Sequence, residues 1–151
     1  EQLEVEDFFF QPSLESNRIA VIVQHMHGNM LSRFTNFLTE DGEKPWRKRD
    51  AEFETMQIDE QEVILLWNTG WDCVFNVLEN LQPADLMKTI YIRTEALPAY
   101  DALLRQLAHY SYHVGQIVFI GRLIKNKHWK TLSIAKGQSN QFNEQMKHPN
   151  A

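Results

Sequence analysis

Three long stretches of this chain carry apolar residues at steps of three and four, and that spacing restricts its fold more than any other feature. In an α-helix such steps return side chains to one face, whereas a strand would need alternation at two. From Asn17 to Thr39 the recurring residues are Ile19, Ile22, Val23, Met26, Met30, Phe34, Phe37 and Leu38. Ser16 or Asn17 can cap the first amides of this segment, and Gly42 followed by Pro45 stops it. A second helix is expected over residues 59–80. Asp59 and Glu62 stand at capping-box spacing, Val63, Leu66, Trp67, Gly70, Trp71, Val74, Phe75 and Leu78 make a wide stripe, and Pro83 lies beyond its end. The third, over residues 97–125, opens at Pro98 and carries Asp101 and Arg105 as an i,i+4 pair. Its expected packing face is Leu103, Leu104, Leu107, Ala108, Ser111, Val114, Gly115, Val118 and Phe119.

Between the second and third segments, the β-branched and aromatic run Thr89 to Thr94 predicts a short strand or β-hairpin near residues 89–96. Three amphipathic helices leave faces uncovered unless a fourth completes the layer. The tail after Trp129 has Gly137 and polar residues at its centre and reads as a poor fourth helix. "EQLEVED" is therefore expected to end a helix whose beginning precedes residue 1, in an all-α domain spanning residues 1–151.

The charge pattern narrows the function classes. A formal net charge of −5 argues against a nucleic-acid or anionic-membrane surface, because phosphate binding needs clustered Lys and Arg. The one basic cluster, Lys44 to Arg49, is interleaved with Glu43 and Asp50 and reads as a solvated loop. A single cysteine, Cys73, cannot form an internal disulfide and reads as a small, partly buried residue beside the second stripe. No apolar run approaches the ~20 residues needed to span a bilayer, and the start resembles neither a signal nor a transit peptide. A reducing, cytoplasmic setting without a membrane partner is the expectation.

Six histidines are present, and four of them fall in two helical segments. In "HYSYHVGQ", His109, His113, Gln116 and Ile120 stand at offsets of four, seven and eleven and form one narrow row. An i,i+4 histidine pair converges well on a divalent metal. Spacing alone leaves open solvent-facing or hydrogen-bonded histidines, and Tyr110 stands where a zincin protease would carry its glutamate. A second cluster, "QHMHGN", offers His25 and His27, which diverge by about 160° on a helix, so only one can meet the first pair. With Ile22 and Met26 facing the core, His25 sits near the core edge and His27 points elsewhere, as a surface residue. Asn29 shares the row of His25 and can serve it from behind. His128 and His148 read as surface residues of the polar tail.

The blocks "VQHMHGNMLSRFTNFLTEDGEKPWRKRDAEF", "NTGWDCVFNVLENLQPADLMKTIYIR", "RQLAHYSYHVGQIVFIGR" and "LSIAKGQSNQFNEQM" together resemble the DinB-like superfamily, in a bacterial branch without assigned function. The resemblance covers nearly the whole chain. It implies a metal-binding up-down-down-up four-helix bundle, with His25, His109 and His113 as the ligands of a divalent ion, zinc or nickel. In several relatives such a site activates a low-molecular-weight thiol such as bacillithiol or mycothiol. Set against the resemblance, the stretch before Ser16 is expected to supply only the end of the family's first helix, which would form one wall of the pocket.

Three imidazoles leave coordination positions open, as expected of a catalytic rather than a closed structural site. The leading expectation is a metal-dependent S-transferase, in which a small-molecule thiol is activated as a thiolate and attacks an electrophile. Gln116 and Tyr112 are candidates for supporting roles beside the ligands, as are Arg33 and Arg122. Arg33 and Arg122 otherwise read as helix-to-loop ion pairs, and Tyr112 as packed with its hydroxyl at the rim. Metal-dependent hydrolysis is the first alternative, though no carboxylate shares the His109 row. A non-catalytic, stress-associated binding or dimer protein is the second, for which Phe8 to Phe10 and Trp46 offer exposed aromatics. A homodimer through the face of Trp67, Trp71 and Phe75 is expected.

Overall fold

Helical periodicity becomes real helix in the computed structural model, which describes residues 2–54 and 58–147. The helices are α1 (Val5–Phe9), α2 (Ile19–Phe34), α3 (Glu60–Asn80), α4 (Ala99–Lys125) and α5 (Ser139–Lys147). Between α3 and α4 stands an antiparallel hairpin of β1 (Thr89–Ile92) and β2 (Glu95–Pro98), in the predicted place. Short 3-10 turns occupy Asp50–Phe53, Pro83–Met87 and Asn126–His128. No helix among the described residues is long and apolar enough to cross a membrane.

The core is organised around α2. Ile19, Ile22, Val23, Met26, Met30 and Phe34 are buried, and so are polar residues on its other faces, among them Gln24, His25, Ser32 and Arg33. A helix covered on all sides needs walls on all sides. These are α3 above all and, over less of it, α4, α1 and the 3-10 turn Asp50–Phe53. Gly70 sets the α2–α3 approach, because a Cβ there would lie 2.8 Å from Met30 Sδ and 3.4 Å from the His27 Cα.

Several sequence expectations are corrected. α2 is shorter than the 17–39 segment. Arg18 occupies its N-cap, and the Ser16 hydroxyl bonds Ser13 at 2.7 Å instead of capping. It ends before Thr35, and Asn36 then takes a left-handed φ of 52°, which a short polar side chain tolerates best after glycine. Phe37 still reaches the core and stacks on Phe34, so the apolar spacing outlives the helix. "EQLEVED" does not end a helix: Glu4 is an N-cap, and α1 begins at Val5. The tail does form a helix, α5, but it buries no residue. The second segment agrees closely, since Asp59 Oδ1 accepts from Glu62 N–H at 2.9 Å and Glu62 Oε2 from Asp59 N–H at 2.9 Å.

α4 starts two residues later than expected, with Pro98 as its N-cap, and its packing face is rotated. Leu104, Leu107 and Phe119 are 58%, 63% and 68% exposed. The buried row is Ala99, Ala102, Gln106, Tyr110, His113, Ile120 and Gly121. The helix thus turns its small and polar residues inward. α3 and α4 both pack on α2 and only marginally on each other, which leaves an apolar groove of about 590 Å³ between them, lined by Trp71, Phe75, Leu103, Leu104 and Leu107 among others. Arg105 meets Glu95 at 3.7 Å rather than Asp101. Phe8 and Phe9 pack partly against the core, whereas Phe10 and Trp46 are exposed.

The hairpin turn has two left-handed residues, Arg93 (φ 54°) and Thr94 (φ 66°), the backbone that matches strand twist in a two-residue loop. Neither is glycine, so the turn is held from outside. The Asp41 carboxylate accepts from the Arg93 N–H at 2.9 Å and the Thr94 N–H at 2.7 Å. Burial raises the Asp41 pKa, but its amide hydrogen bonds outweigh that and hold it below the usual carboxylate value.

Candidate metal centre

α2 and α4 cross so that His25, His109 and His113 bring one ring nitrogen each to a common point, all within 4.8 Å of one another. His109 and His113 come from successive turns of α4, and His25 from the buried face of α2. The His25 Nε2 lies 3.3 Å from His109 Nε2, and His113 Nε2 lies 3.0 Å from the same atom. A tetrahedral ion with ligands at about 2.0–2.1 Å separates its nitrogens by roughly 3.3 Å, which the two distances to His109 Nε2 match.

The tautomers follow from the far side of each ring. His25 Nδ1 lies 2.9 Å from Glu52 Oε2, and a carboxylate can only accept, so Nδ1 carries the proton. His113 Nδ1 donates to Gln116 Oε1 at 2.8 Å. Both Nε2 atoms therefore present lone pairs toward His109. One N–H on His109 Nε2 can satisfy only one of them. A cation at the convergence point would satisfy all three nitrogens, with Glu52 and Gln116 fixing ring orientation from behind.

The electrostatics at His109 and His113 favour the neutral ring. Burial, reinforced by His113, His25 and nearby arginines, pushes His109 down to about 4. Burial also lowers His113, although its bond to Gln116 works the other way. At neutral pH protons do not compete for these lone pairs.

Glu52 has no counterpart in the sequence reading. It sits in the 3-10 turn, and both oxygens are engaged: Arg47 Nε donates to Oε1 at 2.7 Å and an Arg47 terminal nitrogen to Oε2 at 2.8 Å, beside the His25 bond. Burial raises its pKa, but the hydrogen bonds from Arg47 and His25 prevail and hold it below the ordinary value. Gly28 makes room for this carboxylate, because a Cβ there would collide with it. Phe53 covers the His25 ring at 4.6 Å between centroids. The basic cluster is thus no solvated loop throughout: the Arg47 side chain is only 2% exposed, and Lys44 is buried and paired with Glu40 at 2.8 Å. A helical period cannot reveal such residues, and only the "PWRKRDAEF" block of the resemblance marked the region.

Other expected residues fall as follows. Asn29 lines a cavity with His25 and His109, and its Oδ1 accepts from the Tyr110 hydroxyl at 3.0 Å. Tyr112 is exposed and accepts from Gln116 Nε2 at 3.1 Å, at the rim. Arg33 pairs with Glu43 at 3.0 Å and also bonds the Gly42 carbonyl, a helix-to-loop tie. Arg122 is exposed and makes no ion pair among the described residues. His27 points away from the cluster, but it is half-buried against Gly70 rather than on the surface. His128 is exposed, and His148 lies outside the described residues. Cys73 lies outside the cluster, and burial raises its thiol pKa.

In comparison with known proteins, residues 1–138 match the family described as Protein of unknown function (DUF1572). No curated protein and no solved structure matches the chain.

Proposed function

We propose that this chain, which belongs to the DUF1572 family, is a divalent-metal-dependent enzyme in which His25, His109 and His113 hold zinc or nickel and a small thiol is transferred to an electrophile. The observation that carries this reading is the convergence of three Nε2 atoms with two opposite Nδ1 atoms already fixed. Neutral imidazoles suit zinc and nickel alike. DUF1572 stands in the DinB/YfiT-like clan, which supports reading α1 to α4 as a variant of the up-down-down-up bundle and small thiols as substrates. When bound, the ion lowers the pKa of a thiol entering its open position. The chain's own part is to orient His25 through Glu52 and His113 through Gln116, to keep His109 and His113 unprotonated by burial, and to cover His25 with Phe53.

Hydrolysis is the weaker alternative. It needs a carboxylate free to move a proton, and both oxygens of Glu52 are occupied by His25 and Arg47. The test compares metal-loaded, chelator-treated and H113A protein with a panel of cellular thiols and a generic electrophile. Acceleration only in the metal-loaded wild type supports transfer, whereas ester or amide hydrolysis with the same histidine dependence would replace it.

The open groove between α3 and α4 supports a homodimer, which is also the form a non-catalytic binding role would take. Phe75, Leu104 and Leu107 are 51%, 58% and 63% exposed along it, and a second copy would cover apolar surface that one chain leaves wet.

A further inference from the structure

Beside the histidines lies a cavity of about 200 Å³ whose chemistry differs from the rest of the molecule. His25 and His109 form part of its wall, and five arginines form most of the remainder: Arg33 from α2, Arg47 and Arg49 from the segment leading into the 3-10 turn, Arg93 from the hairpin, and Arg105 from α4. No aspartate or glutamate lines it. In a chain of net charge −5, five cations gathered from four separate segments are not a consequence of composition.

The carboxylates around this wall do not balance it. Glu43 serves both Arg33 and Arg93, at 3.0 and 2.9 Å, and Glu52 serves Arg47 at 2.7 Å. Arg49 and Arg105 pair only with exposed carboxylates, Asp50 at 3.5 Å and Glu95 at 3.7 Å, both side chains are half exposed, and Arg49 also lies over the Phe53 ring at 5.2 Å. Two guanidinium groups therefore remain available at a cavity where like charges already crowd. An independent observation comes from Gln106, which also lines the cavity: it is 4% exposed, yet its Oε1 has no hydrogen-bond partner. A buried carbonyl oxygen without a partner is costly, and because it can only accept, what satisfies it is a hydroxyl or N–H on the rest of the same small molecule rather than the oxyanion itself. Gln106 and His109 are three residues apart on α4 and project from the same side, so a group bound at the amide lies about one turn from the imidazoles.

We propose that this cavity binds an oxyanion, the carboxylate or phosphate end of a small substrate, and so presents the rest of that molecule to the histidine cluster. The assignment of a substrate rests on the metal-enzyme reading above, but binding of the anion does not require the metal. Planar guanidinium forks match carboxylate and phosphate oxygens, and a confined cavity of this size admits a group of a few heavy atoms rather than a polymer.

The test titrates chelator-treated full-length chain with inorganic phosphate and, separately, with succinate, by calorimetry at low salt. Saturable binding of at least one is expected, and the preferred anion identifies the source of the oxyanion. R49Q and R105Q remove the two loosely paired guanidinium groups without breaking a buried ion pair. Each is expected to weaken binding about tenfold, as for loss of one charge-assisted hydrogen bond. K127Q removes the same charge from an exposed position away from the cavity and should leave binding unchanged. Absence of saturable binding to the wild type, or an equal loss in K127Q, overturns the inference. Circular dichroism of each variant shows whether the fold is kept. Metal content is measured on the same preparations: metal without anion binding defeats this inference alone, and anion without metal binding defeats the metal reading while leaving the oxyanion site.

Discussion

Replacement of Gly28 by alanine sets two physical effects against each other. In a helix interior alanine is better than glycine by about 0.5–1 kcal/mol, because glycine has more backbone freedom to lose. Elsewhere in α2 such a change would stabilise the protein. At position 28 the new methyl group would collide with Glu52 Oε1, so the carboxylate must shift, which disturbs its 2.7 Å bond from Arg47 Nε and its 2.9 Å bond from His25 Nδ1. That leaves a buried N–H without an acceptor, at a cost of about 1–3 kcal/mol that outweighs the helical gain. It also frees the His25 ring to rotate. Loss of such a supporting group typically weakens metal binding about 10- to 100-fold, or about 1.4–2.7 kcal/mol. The assay is competition with a chromophoric chelator for zinc, paired with urea unfolding of the chelator-treated protein. Expected are weaker zinc binding and lower stability together. Wild-type zinc affinity with raised stability would refute the role assigned to the Gly28–Glu52 contact.

C73S should keep wild-type metal content and fold, since Cys73 lies outside the histidine cluster and burial holds its thiol protonated; loss of metal by elemental analysis would contradict this. Chelator-treated protein should lose stability to urea as pH falls from 6.5 toward 4: His109 and His113 are depressed in the folded state, so the unfolded chain takes up protons there first. Stability unchanged through that window would show that these imidazoles are not depressed. L107E should convert a dimer into a monomer at high micromolar concentration by sedimentation, with helicity intact, because Leu107 is exposed in the α3–α4 groove. A wild type that is itself monomeric there would remove the dimer reading.

What could be read from the sequence was whatever depends on local spacing. The Asp59–Glu62 cap, the extent of α3, the hairpin and the common face of His109 and His113 all follow from residues within one or two turns of each other. The end of α2 was misplaced because Phe37 and Leu38 continue the apolar period after Asn36 has left the helix. The inward face of α4 was misjudged because apolar content does not report burial when a neighbour is missing. Leu104 and Leu107 face an open groove while Gln106, Tyr110 and His113 face the core. Glu52 escaped for a different reason: its partner His25 is more than twenty residues away, and a loop has no period from which to infer such a contact, nor the role of Arg47, which acts through Glu52.

The most direct measurement is the divalent-metal content of untagged protein by elemental analysis, for the wild type and for H25A, H109A, H113A and H27A. The convergence of three Nε2 atoms predicts a stoichiometric ion in the wild type, lost in H25A, H109A and H113A. H27A should retain it, because His27 packs against α3 away from the cluster. A wild type that holds no ion and gains no thermal stability when zinc or nickel is added would contradict the metal centre, and equal loss from H27A and H25A would contradict its ligand set.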